Sequence, residues 1–279
     1  MRPRLARILS LPGDLIAGLA ISLFVTAVAL LSFVWTPHDP LAMQMSMRLA
    51  PPSAEAWFGA DAYGRDVFSM VMVGARNALA VGLAAAALGM LAGAPLGLLA
   101  AAYGAWVDDL IMRANDLAFA FPALLIAVLI AALLGPGALN AVLAIGIYNT
   151  PVFARITRSA ALGLWRRDYI SAARLAGKGR LAISLQHILP NLAGGLIIQG
   201  AIQLSLAVTA DAALSYVGLG AQAPQPSWGR MLAEAQTLAG QAPWLAAFPG
   251  AALVVTVLGL TLAGDGLARL FDPRARRRR

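Results

Sequence analysis

The 279-residue sequence contains no cysteine, and charged residues make up only 12% of it. Without cysteine, disulfide frameworks and thiolate metal sites are excluded. A soluble domain has about a quarter of its residues charged and about half apolar, whereas this chain is 60% apolar. The composition therefore predicts an integral membrane protein.

Motifs for catalysis are also missing. The nearest approach to a phosphate-binding loop is GKG at 177–179, which lacks the following Ser or Thr and has Ala172 where that motif has glycine. Neither a zinc-protease helix nor a nucleophile elbow is present. The two histidines, His38 and His187, are predicted on opposite sides of the membrane, which excludes a metal site built from both. The sequence predicts no enzyme activity, no cofactor and no metal in this chain.

Six apolar runs are long enough to cross a bilayer, which takes about 20 residues. They extend over about 15–34, 79–103, 110–134, 139–156, 192–217 and 245–262. We interpret the first as a retained helix, because a cleaved signal peptide has a shorter apolar core followed by a small-residue cleavage site. The predicted fold is all-α and polytopic, with six transmembrane helices. Residues 1–76 form an N-terminal helix and an extracytoplasmic segment, and residues 77–279 form the core transmembrane domain.

Basic residues are concentrated on one predicted side of the membrane, and the positive-inside rule makes that side cytoplasmic, with both termini. The net charge of +8 could indicate binding to nucleic acid, but the position of the basic residues beside apolar runs argues against it. The arginine-rich C-terminus suits contact with anionic membrane lipid. The basic side carries Arg2, Arg4, Arg7, Arg155, Arg158, Arg166, Arg167, Arg174, Lys178, Arg180 and the terminal arginines; the other side carries Arg48, Arg65, Arg76 and Arg230.

Glycine recurs every fourth residue in the second apolar run, at Gly89, Gly93 and Gly97. In lipid, small residues at this spacing let two helices approach closely. Pro95 within the same run predicts a kink. We therefore predict a tightly packed helix here.

Charged residues inside the apolar runs are expected to be paired or to face the protein interior. Arg113 and Asp116 are three residues apart, which predicts an ion pair on one helix face. Asp211 lies deep in the fifth run. It is expected to face the interior or a water-filled path, either bonding to another helix or lining the passage.

Residues 168–190 form a polar, basic island between apolar runs. Asp168 is predicted to cap a first helix. Gly177 and Gly179 are predicted to end it, because glycine readily takes the left-handed conformation of a helix end. A second helix is predicted from Leu181, with a boundary at Pro190. Without further information this would be an ordinary amphipathic loop.

The island resembles the EAA loop of ABC importer permeases, written E-A-A-x-x-x-G with a later element that ends in Leu-Pro. Ser171 stands where that motif has glutamate. In the family this loop forms a cytoplasmic coupling helix that sits in a groove of the ATPase subunit. The resemblance implies an ATPase-coupling role for Ser171, Ala172, Ala173, Arg174, Gly177, Ile188, Leu189 and Pro190.

Further segments, in the right order, resemble dipeptide, oligopeptide and nickel permeases of this class. They are GADAYGRDVFS at 59–69, MRANDLAFAFP at 112–122, VTADAALSYVGLG at 208–220, PQPSWGRML at 224–232 and GDGLARLFDP at 264–273. The first and fourth are predicted outside, where a solute-binding protein would dock. On this resemblance, Arg65, Asp66 and Trp228 are candidate docking residues.

The resemblance implies a membrane subunit of an ATP-driven importer in the bacterial inner membrane. Its implied partners are a second, homologous permease, two ATPase subunits that bind ATP and magnesium, and an extracytoplasmic binding protein. Di- and oligopeptides are the first substrate class, with nickel or glutathione as alternatives. An ion-coupled secondary transporter is a competing class, but it needs repeated halves with broken helices, and 77–158 and 190–270 show no repeat. A membrane enzyme is a third class.

Overall fold

The computed structural model describes residues 12–271, and within these residues the regular structure is helical. A single 3₁₀ turn lies at Met45–Met47 and a π turn at Ser184–Ile188. The helices are α1 Gly13–Leu31, α2 Val67–Tyr103, α3 Ala105–Ala120, α4 Ala123–Leu134, α5 Ala138–Trp165, α6 Asp168–Leu175, α7 Arg180–Ile183, α8 Leu189–Tyr216, α9 Trp228–Ala235 and α10 Trp244–Phe271.

Five stretches are long and apolar enough to cross a membrane, and α3 with α4 makes a sixth if the pair counts as one span. These two helices meet at an angle of 87°. Pro122 explains the break, because the residue before proline is pushed out of the helical region, and Phe121 has an extended backbone. The six-span prediction is confirmed, but the prediction of one uninterrupted third span is wrong.

The second span begins much earlier than the apolar run suggests. Asp66 caps α2 by accepting a hydrogen bond from the Ser69 backbone N–H, so the helix starts at Val67. The predicted division between residues 76 and 77 therefore falls inside a continuous helix, and the outer segment ends at Asp66. Pro95 lies within α2, which continues to Tyr103.

The glycine repeat lies where α2 crosses α5, as predicted. A Cβ added at Gly89 would lie 2.5 Å from the Asn149 Cβ. At Gly93 and Gly97 an added Cβ would clash with carbonyl oxygens of α5. Only glycine allows this approach, which makes the α2–α5 crossing the centre of the transmembrane core.

The N-terminal helix α1 packs along the C-terminal helix α10. Gly18 lies against the backbone of α10, while Gly259 and Gly266 of α10 lie against α1. An ion pair between Asp14 and Arg269 joins the helices near their ends. Some residues used in the sequence predictions lie outside the described residues. They are Arg2, Arg4 and Arg7 of the cytoplasmic side, Asp272 and Pro273 of the last family-like segment, and the terminal arginines.

Large apolar side chains cover much of the outer surface of the spans. Leu23, Phe24, Leu91 and Leu133 are all exposed in the isolated chain. Exposed apolar surface on this scale marks contact with lipid or with another membrane helix. It agrees with the apolar composition of the chain.

Candidate functional site

The island between α5 and α8 is a helix–turn–helix, and its turn depends on Gly177. Gly177 has a φ of +80°, in the left-handed region. Its N–H donates to the Arg174 carbonyl at 2.9 Å, and the Lys178 N–H donates to the Ala173 carbonyl at 3.1 Å. This pair of bonds is a Schellman motif, which closes a helix where glycine follows its last turn. The predicted break at Gly177 is confirmed.

Two local predictions for the island are wrong. Gly179 is not left-handed; its φ is −69° and it precedes α7. Asp168 is not the capping residue, because Arg167 occupies that position and Asp168 is the first residue of α6. The carboxylate of Asp168 instead lies in the first turn, where its negative charge interacts favourably with the positive end of the helix dipole.

Buried isoleucines fix the island to the membrane domain. Ile170 of α6, Ile183 of α7 and Ile188 of the π turn are completely buried in one cluster with Phe153 and Trp165 of α5. The same cluster includes residues of α2 and α8. The island is therefore packed against three spans.

The island also carries exposed apolar side chains. Leu175 is 91% exposed, and Tyr169, Leu181 and Leu185 are exposed as well. Leu181 and Leu185 border a cavity that α2 and α8 also line. Tyr169 and Leu175 are then left as the apolar part of an interaction surface. Lys178 Nζ hydrogen-bonds Gln186 Oε1 and contacts His187 Nε2, both at 3.0 Å, across the turn.

The predicted coupling residues do not all share this surface. Ala173 and Leu189 are half-buried, and Ile188 is buried, so these three hold the island in place. The exposed members of the set are Ser171, Ala172, Arg174, Gly177 and Pro190.

The second half of the island continues directly into a membrane span. Residues 180–216 form one unbroken helical stretch through the π turn. The predicted boundary at Pro190 is therefore wrong. Proline is tolerated here because a wider turn precedes it, and its missing N–H needs no partner in the regular bonding pattern. The second helix of the island and α8 are therefore one continuous element.

A cavity of about 520 Å³ lies between α4, α5 and α8. Most of its walls are apolar, including Leu124, Ile145 and Leu206. Its polar lining includes Asn149 of α5 and Gln203 of α8, whose side chains share a hydrogen bond of 3.2 Å. Sequence analysis did not single out either amide, although a buried Asn and Gln in apolar runs are visible signals.

Asp211 is buried in the interior of the bundle, and its Oδ1 has no hydrogen-bond partner among the described residues. One turn further along α8, Ser215 is also buried, and its Oγ has no partner either. Asp211 does not line the cavity between α4, α5 and α8. Its role in helix bonding or passage stays a prediction.

The outer segment before α2 is fixed by a buried arginine. Arg65 is 5% exposed, and its Nε lies 2.6 Å from Asp61 Oδ2. Its guanidinium also reaches Glu234 of α9, at 3.3 Å, and lies over the Tyr63 ring at 5.0 Å. These contacts join the two outer segments that the sequence places far apart.

The three residues predicted to dock a binding protein are buried in this chain. Trp228 is 2% exposed, and its indole N–H donates to the Val71 carbonyl at 3.0 Å. Asp66 is buried at the start of α2, and Arg65 is enclosed as described above. In the isolated chain, Arg65, Asp66 and Trp228 are therefore placed to hold the outer surface together, and a docking role for them stays a prediction. The exposed aromatic residues of this surface are Trp57 and Tyr63.

The acids of α3 pair with arginines of α5, which corrects the predicted local pair. Asp116 binds Arg155 instead of Arg113, and Asp108 binds Arg158 through both carboxylate oxygens. Local spacing favours the Arg113–Asp116 pair within one helix. The packing of α3 on α5 instead places Arg155 opposite Asp116 and Arg158 opposite Asp108. Both ion pairs hold the broken third span against α5.

Comparison with known proteins gives consistent results. Residues 93–277 match the family model described as the inner membrane component of binding-protein-dependent transport systems. The chain is 41% identical to the dipeptide transport system permease protein DppC of Alkalihalophilus pseudofirmus, over 93% of this chain and 85% of that one. It is 38% identical to the probable D,D-dipeptide transport system permease protein DdpC of Escherichia coli, over 91% and 87%.

A third relative is the glutathione transport system permease protein GsiD of Escherichia coli, which is 43% identical over 80% of this chain and 74% of its own. Among solved structures, the MetNI methionine ABC transporter in an inward-facing conformation matches with a TM-score of 0.60. That match covers 72% of this chain and 95% of the other at 20% identity, so it shows a shared fold. In sequence and in fold, this chain belongs to the family of binding-protein-dependent inner membrane transport components, the permeases of ABC importers.

Proposed function

We propose that this chain forms half of the translocation pathway of a dipeptide or oligopeptide importer, and that separate ATPase subunits drive it through the island at 168–190. The observation that carries the proposal is the position of the island. It exposes apolar side chains such as Leu175 and packs buried isoleucines against α2, α5 and α8.

Coupling follows from the connections of the island. The α6 helix rests on the end of α5 through Ile170 and Trp165, and α7 continues into α8. Both α5 and α8 line the cavity of about 520 Å³. A displacement of the island by an ATPase subunit therefore moves two walls of the cavity, which opens or closes a path for substrate.

In this proposal ATP and magnesium bind to the partner ATPase subunits, and a homologous permease supplies the other half of the pathway. The basic island lies in the cytoplasm, as the positive-inside rule requires. The outer segments, with Trp57 and Tyr63 exposed, receive the binding protein. Aromatic residues are enriched at the centres of protein interfaces, which suits both side chains to that contact.

Two relatives, DppC and DdpC, are named as dipeptide permeases, which supports dipeptides as the substrate. The third relative, GsiD, is named as a glutathione permease, so glutathione is the alternative substrate. The test is uptake into vesicles that contain the complete complex, with its own binding protein outside and ATP inside. Labelled dipeptides, glutathione and nickel ions are supplied separately. We expect ATP-dependent uptake of dipeptides. Uptake of glutathione or nickel alone would contradict the substrate class and leave the importer mechanism intact.

A further inference from the structure

The cavity between α4, α5 and α8 combines apolar walls with one polar position. Leu124, Ile145, Leu206 and Leu214 contribute apolar surface from three helices. The polar position is the pair of amides from Asn149 and Gln203, with Tyr148 next to Asn149 on α5 also in the lining. An apolar cavity with a few placed polar groups is the usual composition of a small-molecule site.

The amide pair is buried and only partly satisfied. Asn149 is 4% exposed and Gln203 is 3% exposed. Gln203 Nε2 donates to Asn149 Oδ1 at 3.2 Å, and Asn149 Nδ2 has no partner. If both amides are turned over, Asn149 Nδ2 donates to Gln203 Oε1, and the Asn149 oxygen becomes the end without a partner. In either arrangement one hydrogen-bonding end of the pair is buried without a partner in the wall of the cavity.

The surroundings of Asn149 hold it in this position. Its Cβ and backbone pack against Gly89 of α2, where no larger residue fits. Two residues further along α5, Pro151 interrupts the helix bonding, and the Thr150 hydroxyl bonds to the Gly146 carbonyl. The amide therefore sits at the crossing of three spans, next to a point where α5 can bend.

We propose that Asn149 and Gln203 bind the backbone of the transported peptide as it passes through this cavity. The inference rests on the function proposed above and names a substrate contact within it. An amide side chain has the same donor and acceptor groups as a peptide bond, so the two are complementary. Because neither amide is charged, the contact does not select among substrate side chains, and the apolar walls accept side chains of different shapes.

The chemistry of the pair favours a peptide over a metal ion. Nickel is held best by imidazole and other nitrogen ligands, and the cavity presents neutral amides and apolar groups. A peptide brings several backbone N–H and C=O groups, which lose their bonds to water on entering an apolar cavity. The two amides replace part of that lost hydration.

The test introduces a charge without changing the shape of either side chain. Asn149→Asp and Gln203→Glu are assembled in the complete complex in vesicles. The binding protein is loaded beforehand with alanyl-alanine or with alanyl-glutamate, so that its own selectivity is removed from the measurement. Uptake is measured at alkaline pH, so that the new carboxyl group is ionised in spite of its burial. We expect the ratio of alanyl-alanine to alanyl-glutamate uptake to rise at least fivefold in each variant, because the new carboxylate repels the acidic peptide.

The matched control is Gln236→Glu, the same substitution at an exposed position after α9 and outside the cavity. Its uptake ratio is expected to stay within twofold of wild type. An unchanged ratio in both cavity variants, even with slower uptake of both peptides, would assign the pair a purely structural role and overturn the inference. If the wild-type complex imports neither peptide, the proposed function fails first, and that outcome differs from any result confined to the variants.

Discussion

Among individual residues of the outer surface, Arg65 is held by the most contacts. It is buried between Asp61 and Glu234, and Asp61 is buried as well. Removing one partner from a buried ion pair leaves an uncompensated charge, at a cost of about 3–5 kcal/mol. We expect Arg65→Ala to lower the free energy of unfolding by that amount, as measured by denaturant unfolding of the purified protein in detergent.

Arg230→Ala is the matched control for Arg65→Ala. Arg230 pairs with the same Glu234, at 3.0 Å, but both side chains are more exposed. An exposed pair contributes about 0–1 kcal/mol. Equal, small losses in the two variants would contradict the buried network and restore Arg65 as a candidate contact for a docked protein.

Asp211 gives a second prediction for a single residue. Its buried Oδ1 has no partner among residues 12–271, and a buried charge without compensation is unfavourable. Asp211→Asn keeps the shape and hydrogen-bonding capacity of the side chain and removes the charge. We expect its melting temperature in detergent to equal or exceed that of wild type, and a marked decrease would show that the carboxylate is paired. Uptake by the same variant, measured across pH, then reports whether the charge takes part in passage.

At the scale of helices, the α2–α5 crossing carries the sharpest steric prediction. A Cβ at Gly93 would lie 2.8 Å from the Phe153 Cβ and still closer to the Thr150 carbonyl oxygen. Gly93→Ala therefore overpacks the crossing, which costs about 1–3 kcal/mol. The measurement is the unfolding free energy of the purified variant in detergent.

Gly163→Ala is the control for the crossing. Gly163 also lies in α5, but an added Cβ would meet nothing within 4 Å. Alanine favours a helix over glycine by about 0.5–1 kcal/mol, so this variant is expected to be as stable as wild type or more stable. If both variants lose the same stability, close approach at Gly93 is not the cause.

The helices also show what sequence reasoning can and cannot reach. Gly89, Gly93 and Gly97 were predictable because their spacing alone places them on one face. The bend before Pro122 was missed because hydropathy measures the length of an apolar run and carries no information about its direction. The Asp116–Arg155 pair joins residues 39 positions apart, so no local spacing rule finds it.

The same limits apply to the functional regions. The turn at Gly177 was predictable, since few residues other than glycine take a left-handed backbone there. The early start of α2 was missed because its first turns are buried by the outer segment and not by lipid. The burial of Arg65 and Trp228 depends on contacts between segments more than 150 residues apart. These contacts are the Arg65–Glu234 ion pair and the Trp228–Val71 hydrogen bond, which only the folded chain brings together.

For the whole molecule, orientation in the membrane is the first prediction. The basic side that includes Arg166 is expected in the cytoplasm, and Glu55 is expected outside. Because the chain has no cysteine, single-cysteine variants at positions 55 and 166 give clean labelling with a membrane-impermeant maleimide. Position 55 should react in intact cells, and position 166 should react only after the membrane is opened. Labelling of position 55 from the cytoplasmic side alone would contradict the six-span topology.

The central claim concerns coupling between the island and the cavity-lining helices. Val at position 177 would meet no atom of this chain within 4 Å at its Cβ, so any effect comes from the left-handed backbone. A left-handed conformation costs a non-glycine residue about 1–2 kcal/mol, equivalent to a roughly 5- to 30-fold shift in the population of the native turn. The membrane helices pack separately, so Gly177→Val should still insert. Gly179→Val is the matched control, because Gly179 has an ordinary φ of −69° and open space around it.

The most direct measurement is ATP-driven dipeptide uptake, together with substrate-stimulated ATPase activity, in vesicles that contain the complete complex. Both rates are normalised to the amount of inserted permease. We predict that Gly177→Val loses most of its coupled uptake, because the ratio of the native turn to other conformations falls, while Gly179→Val stays near wild type. Full coupled transport by Gly177→Val at a normal level of insertion would contradict the account, because the island would then be a loop without a mechanical role.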